Sequence, residues 1–233
     1  MNLYDCISND DISGATNLLQ QGHNPNQLDD YGQTPLFRIV YNKSPRQKEL
    51  LKLFIGFGAN VNFQKPDDGA TPLHHSRGDI ADILIKSGAD TNIKTKSGST
   101  PLHNALDIAT ARILVDNGLS INAKDNYSST PLHSFVYFDI ELVQFAISNG
   151  ADIAARDING FTPLICLAQT EYVTKIEGKI DTIIQKSKLL LDSGADINAI
   201  DIQNKNAYDH AIIVDNLKLA DWLHFRQKSK KGI

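Results

Sequence analysis

Three histidines in matching surroundings are the first candidates for chemistry. His74 lies in "TPLHHS", His103 in "STPLHN" and His133 in "TPLHSF", 29 and 30 residues apart. Imidazoles of this kind gather zinc or serve as general bases, and zinc requires their nitrogens about 2.0–2.1 Å from one ion. If each His belongs to its own helix in a stack, equivalent atoms stand roughly 8–10 Å apart and cannot converge. Each His occupies the third position of the helix expected after Thr-Pro, where the positive end of the helix dipole favours the neutral ring. A neutral ring donates one hydrogen bond and accepts one, so the three are expected to be braces. His75 points elsewhere on its helix and is expected to be an exposed contact residue.

Other chemistry fails on spacing. Cys6 and Cys166 lie far apart and match no C-x-x-C pattern, which argues against a disulfide framework or a cysteine-based zinc site and for a reducing compartment. A phosphate loop, a nucleophile elbow and H-E-x-x-H are all missing, and "GFGANV" from Gly56 follows a helix pattern and lacks the third glycine of a dinucleotide loop. No cofactor or metal is expected.

The elements that would position these residues follow from two recurring words. Thr-Pro-Leu begins at Thr34, Thr71, Thr100, Thr130 and Thr162, with a worn copy at Asn206. Thr is a good N-cap and Pro suits the first helical position, so a helix begins at each copy. The second word, Gly-Ala-Asp or close to it, begins at Gly22, Gly58, Gly88, Gly118, Gly150 and Gly194. It follows apolar residues at helical spacing, such as Ile80, Ile83 and Leu84, and each glycine is expected to close a second helix in the left-handed conformation. The stretch from Gly to the next Thr is 12 residues long in five cases and 13 after Gly58. Rich in Asn, Asp and Gly, it reads as an extended turn or hairpin, a projecting finger.

"GSTPLHNA" and "GADTN" carry a clear resemblance to the ankyrin repeat family, and it covers essentially the whole chain. The resemblance implies an all-α ankyrin-repeat solenoid of stacked helix-loop-helix units with short β-hairpin or turn fingers. The expected units of this single domain, 1–233, are approximately 1–33, 34–70, 71–99, 100–129, 130–161, 162–205 and 206–233. Met1 then aligns with the Thr of the first unit. Units from Thr71 and Thr100 are one helical turn short, which places the loss at the end of the first helix. Unit six carries the extra "TEYVTKIEGKIDTIIQ", read as an extended first helix, a break near Gly178 and a lengthened second helix. Trp222 in the last unit is expected to plug the core.

The resemblance also implies where function lies. Ankyrin proteins hold partners on a concave face of finger tips and first helices, with contacts flanking the finger glycine. Carried over by position, the expected partner-binding residues are Tyr31, Lys96, Asn126, Tyr127, Ile158, Asn159, Phe161 and Ile202, extended by Tyr137 and Phe138 at the end of a first helix. Aromatic side chains at turn tips have little to pack against and anchor interfaces.

A chain of 233 residues with 41% hydrophobic content can bury a core, and a formal charge of -4 does not suit nucleic acid. No apolar run reaches the roughly 18 residues of a membrane span, and "MNLYDCISND" lacks the order of a secretory signal. The expectation is a non-catalytic, monomeric, cytoplasmic module that binds a protein and neither nucleic acid nor membrane. Its short, Ile- and Asn-rich units are similar to ankyrin proteins of intracellular bacteria, many delivered into host cytoplasm as effectors. The alternative is an enzyme with its site in the insertion 171–186, which offers Glu171, Lys175, Glu177 and Asp181 but neither His nor Cys.

Overall fold

The computed structural model describes residues 2–170 and 179–230, which form thirteen α-helices and one 3-10 helix, with no strand among the described residues. The chain divides into two compact bodies, Met1–Leu119 and Ser120–Ile233. In the first, α1 (Leu3–Ser8) pairs with α2 (Ile12–Gln20), α3 (Pro35–Tyr41) with α4 (Gln47–Gly56), and α5 (Pro72–His75) with α6 (Asp79–Lys86). The 3-10 helix η1 (Pro101–Asn104) pairs with α7 (Ile108–Asp116). First helices stack on first helices and second on second. The second body repeats the scheme with α8 (Pro131–Phe135) and α9 (Ile140–Ser148), α10 (Pro163–Ala168) and α11 (Lys179–Asp192), and α12 (Ala207–Ile213) and α13 (Leu217–Lys230).

Both words start and close helices where expected, but of the five threonines only Thr162 caps with its side chain, accepting from Ile165 N at 3.3 Å, while the hydroxyls of Thr71, Thr100 and Thr130 bond the His that follows. Each Thr-Pro copy starts a helix with Thr in extended conformation and Pro at the first position. The leucine that follows is buried in every copy: Leu36, Leu73, Leu102, Leu132 and Leu164. At about 1.5–3 kcal/mol for each such side chain, these leucines are a main source of stacking energy. The six glycines closing second helices all have φ between 77° and 105°. The residue after the glycine then donates back to the buried last turn, as Ala89 N to Leu84 O at 2.9 Å and Ala195 N to Leu190 O at 2.9 Å.

The missing turn lies where spacing placed it: α5 and η1 have four residues each against seven in α3. Other expectations need correction. Asn2, not Met1, caps α1, through a reciprocal capping box with Asp5. The worn copy at Asn206 uses the same device with Asp209, so an Asn-x-x-Asp box opens both first helices that lack Thr-Pro. The first helix of unit six is not extended, because α10 stops at Ala168 and Thr170 Oγ1 donates to Leu167 O at 2.7 Å. Glu171, Lys175, Glu177 and the break near Gly178 lie outside the described residues. The second helix is long as expected, with 14 residues in α11 against nine in α9. Trp222 is half-buried, with the Arg226 guanidinium 5.6 Å from its ring centroid.

Candidate partner-binding surface

The fingers take the turn form. A backbone bond closes each, as Asp29 N to Gln33 O, Thr95 N to Ser99 O, Asp125 N to Ser129 O, Asp157 N to Phe161 O and Asp201 N to Lys205 O, and a second runs back from the fourth residue to the first, as Gly32 N to Asp29 O and Gly160 N to Asp157 O. In the finger with one extra residue the bond spans one residue more, Lys65 N to Ala70 O at 2.8 Å. The leading aspartate fixes the tip: Asp125 Oδ1 accepts from Tyr127 N and Ser129 N, and Asp157 Oδ1 from Asn159 N and Phe161 N.

The histidines brace these turns. Nδ1 of His74 and of His133 accepts from the amide and hydroxyl of its own capping threonine, which leaves Nε2–H to donate to the next finger. His74 reaches Ser99 O at 3.2 Å and His133 reaches Phe161 O at 3.0 Å. His103 makes the same pair of bonds to Thr100. Burial keeps His74 neutral, holding its pKa down to about 4. No cluster that could hold a metal occurs among the described residues. His75 is half-buried and not an exposed contact, since its ring lies 5.1 Å from that of Tyr41 and tilts against it.

In the second body the finger tips join into a ladder. Ile158 N donates to Tyr127 O at 2.9 Å, and Ile202 N donates to Asn159 O at 3.1 Å. Three apolar side chains therefore sit on successive tips tied by backbone, with Tyr127 54%, Ile158 55% and Ile202 70% exposed. Asn126 and Asn159 are exposed beside them. The Arg156 guanidinium, which spacing did not single out, donates to Gly160 O at 3.0 Å and to Ile200 O and so clamps one finger to the next.

The remaining expected residues divide by environment. Phe161 is half-buried, edge-on to the His210 ring at 5.3 Å, so it holds the finger to the following helix as much as it faces outward. Phe138 is also half-buried. Tyr137 exposes its ring but turns its hydroxyl inward to the Cys166 thiol. Burial, and then the neighbouring Cys166, push the Tyr137 hydroxyl well above its usual pKa, and burial pushes the thiol up to about 12. Burial thus disfavours the thiolate form of Cys166 while the site stays closed. In the first body Tyr31 is fully outward and borders a cleft of about 330 Å³ with Tyr4, His23 and Arg38. Lys96 is exposed, its ammonium on Pro66 O at 2.6 Å.

Of the insertion residues, Asp181 is exposed and paired with Lys218 at 2.7 Å. No described helix is long and apolar enough to cross a membrane.

Comparison with known proteins agrees with this architecture. A family model described as ankyrin repeats matches in three overlapping copies, over residues 3–94, 43–125 and 75–157. An ankyrin repeat protein of Rickettsia felis is 29% identical over 179 residues, 73% of this chain and 65% of that protein. Neurogenic locus notch homolog protein 1 of Homo sapiens is 33% identical over 172 residues, 72% of this chain but 5% of its own length. The 2-5A-dependent ribonuclease of Homo sapiens is 40% identical over 70 residues, 28% of this chain and 9% of its own. The chain thus spans less than two thirds of each of these relatives. With the family model matched well beyond half of the chain and the same caps, braces and turns built in both bodies, the chain belongs to the ankyrin repeat family.

Proposed function

We propose that this chain is a non-catalytic module that holds a protein partner on the finger tips and first helices of its second body. Tyr127, Ile158 and Ile202 are its apolar contacts, and Asn126, Asn159, Phe161, Tyr137 and Phe138 border them. One observation carries the reading: three consecutive tips, tied by backbone bonds, each present a large apolar side chain that is more than half exposed. Single exposed hydrophobics are ordinary on any protein surface, whereas a contiguous row rimmed by polar groups is the pattern of an interaction site. Ankyrin repeats are protein-protein interaction modules, which supports the class of partner. In the first body Tyr31 and Lys96 are the corresponding contacts.

The seven units act as one monomeric domain in this reading, with neither nucleic acid nor membrane as partner. Similarity to the Rickettsia felis protein supports an origin in an intracellular bacterium and action in host cytoplasm as a secreted effector. A reporter fusion that fails to reach host cytoplasm would leave a plain cytoplasmic scaffold instead.

The binding reading is tested by affinity capture with the whole chain as bait. The triple variant Tyr127→Ala, Ile158→Ser, Ile202→Ser should keep the wild-type far-ultraviolet circular dichroism and lose captured partner by about tenfold or more, since anchor residues of this kind cost upwards of about 1–2 kcal/mol each. Undiminished capture by the folded triple variant would move the interface elsewhere.

A further inference from the structure

Lys186 is a charged side chain buried where the expected surface gives it no role. It lies on α11 and is 5% exposed, and its ammonium donates to Val136 O at 3.0 Å and to Phe138 O. Those two carbonyls lie just past the C-terminus of α8. The amides of Val136, Tyr137 and Phe138 turn back to Leu132, Ser134 and Phe135, which closes the helix and leaves the carbonyls beyond it in need of donors. A cation belongs at this negative end of a helix, and its hydrogen bonds offset the cost of burying the charge only while both are made. Burial lowers the Lys186 pKa, and Asp139 and Glu141 nearby offset this only in part.

A second place in the chain uses the same arrangement. Gln47 Nε2 donates to Ile39 O at 2.8 Å and to Val40 O at 3.0 Å, the end of α3 just before the exposed Tyr41. Gln47 comes from the helix paired with α3, whereas Lys186 comes from α11, the second helix of the following pair. Both end on the C-terminal end of a first helix beside an exposed tyrosine, Tyr41 in the last turn of α3 and Tyr137 just past α8.

We propose that Lys186 is the positioning residue of the Tyr137–Phe138 segment. It holds the backbone on both sides of Tyr137, so that the ring stays on the surface with its hydroxyl over Cys166. Its consequence for binding rests on the function proposed above, but the positioning itself does not. Through this contact α11, at the end of the lengthened unit, sets the shape of a surface on the unit before it.

Cys166 reports the position of Tyr137 without any partner. In a Cys6→Ala background at pH 8, the reaction of Cys166 with 5,5′-dithiobis(2-nitrobenzoate) should be slow, and Lys186→Met should speed it at least tenfold. The rate in Lys186→Met should hardly change with urea below the unfolding transition, because the opening is local. Leu190→Ala, a core truncation in the same helix, should speed the reaction only with the steep urea dependence of global unfolding. Should Lys186→Met fail to fold, Lys186→Gln, which keeps a donor without the reach, carries the same comparison. An unchanged rate, or an acceleration with the global urea slope, overturns the proposal. Loss of partner capture by the Tyr127, Ile158 and Ile202 variant bears on the binding reading alone.

Discussion

His210 Nε2 and Asp201 Oδ2 meet at 2.8 Å in a buried pair at the start of the last helix pair. Elsewhere a His braces the finger that follows it; here the His comes from α12 and reaches back to the finger that precedes it. Asp201 is the centre, because Oδ1 also accepts from Gln203 N and Lys205 N. Burial pushes its carboxyl pKa up, but the bonds from Lys205, His210 and Gln203 together hold it below the usual carboxylate value. Asp201→Ala removes all three acceptor contacts and leaves a buried imidazole unpaired, so a loss of about 3 kcal/mol is expected. Asp201→Asn keeps Oδ1 and should cost about 1 kcal/mol. Urea titration of the two variants checks the order; equal losses would show that the ring contact with Phe161, not the hydrogen bond, holds His210.

Acid should unfold this protein through its braces. His74 has its pKa lowered from 6.5 to about 4, first by burial, and burial lowers that of His133 too. A base with a depressed folded pKa contributes stability that is whole above the unfolded value, about 6.5, and is lost as pH falls toward the folded value. For His74 the full term is on the order of 3 kcal/mol, about 2 kcal/mol of it gone by pH 5. His74→Gln should cost about 1–2 kcal/mol at pH 7 and flatten the fall between pH 7 and pH 5. Stability curves in urea at the two pH values measure this, and parallel losses in wild type and variant would assign the acid sensitivity to other groups.

Local words were legible because their physics is local. Thr takes the extended position before the helix that Pro begins, and Gly closes the helix before the finger, so both are decided within a few residues. The short α5 and η1 were readable for the same reason, from the distance between one word and the next. Contacts that join distant residues were not. Lys186 to Val136 crosses 50 residues and Arg156 to Ile200 crosses 44, and no periodicity encodes either. Phe161 was placed at a finger tip correctly, but its packing on His210 depends on a helix from the next unit. The sequence does carry a signal for Asn2 as the cap of α1, since "NLYD" matches "NAYD" at Asn206, the worn copy of Thr-Pro-Leu.

A second brace is made of asparagine. Asn122 Nδ2 donates to Gly150 O at 2.9 Å while its Oδ1 accepts from Asp152 N at 2.7 Å, and Asn26 and Asn62 make the same pair of bonds in the first body. Asn122 thus carries a bidentate link from one helix-end turn to the next. Asn122→Ala should lose about 1–2 kcal/mol for two partly solvated bonds. Asn122→Asp keeps the acceptor but sets a carboxylate against a carbonyl, so it should be no better than alanine. Water would be shown to replace the link if both variants stayed within about 0.3 kcal/mol of wild type in a urea titration.

Gly160 controls the spacing of the finger ladder. Its φ is 77°, and a Cβ there would come within 3.1 Å of Ile202 N and 3.2 Å of Asp201 Cα, both backbone, so neither can swing away. Gly160→Ala combines left-handed strain of about 1–2 kcal/mol with displacement of the next finger. It is expected to lose about 2 kcal/mol or more and to break the bond from Ile202 N to Asn159 O. Ser128 holds the same place in the preceding finger with φ 59°, already carrying a Cβ in that conformation. Ser128→Gly should therefore relieve strain and gain about 0.5–1 kcal/mol. Opposite signs at two equivalent positions separate backbone conformation from loss of side-chain contacts. Thermal unfolding of both variants gives the signs, and amide exchange at Ile202 reports whether the ladder opens in Gly160→Ala. A stable Gly160→Ala with a protected Ile202 amide would show that the fingers tolerate wider spacing and that the apolar row does not depend on this contact.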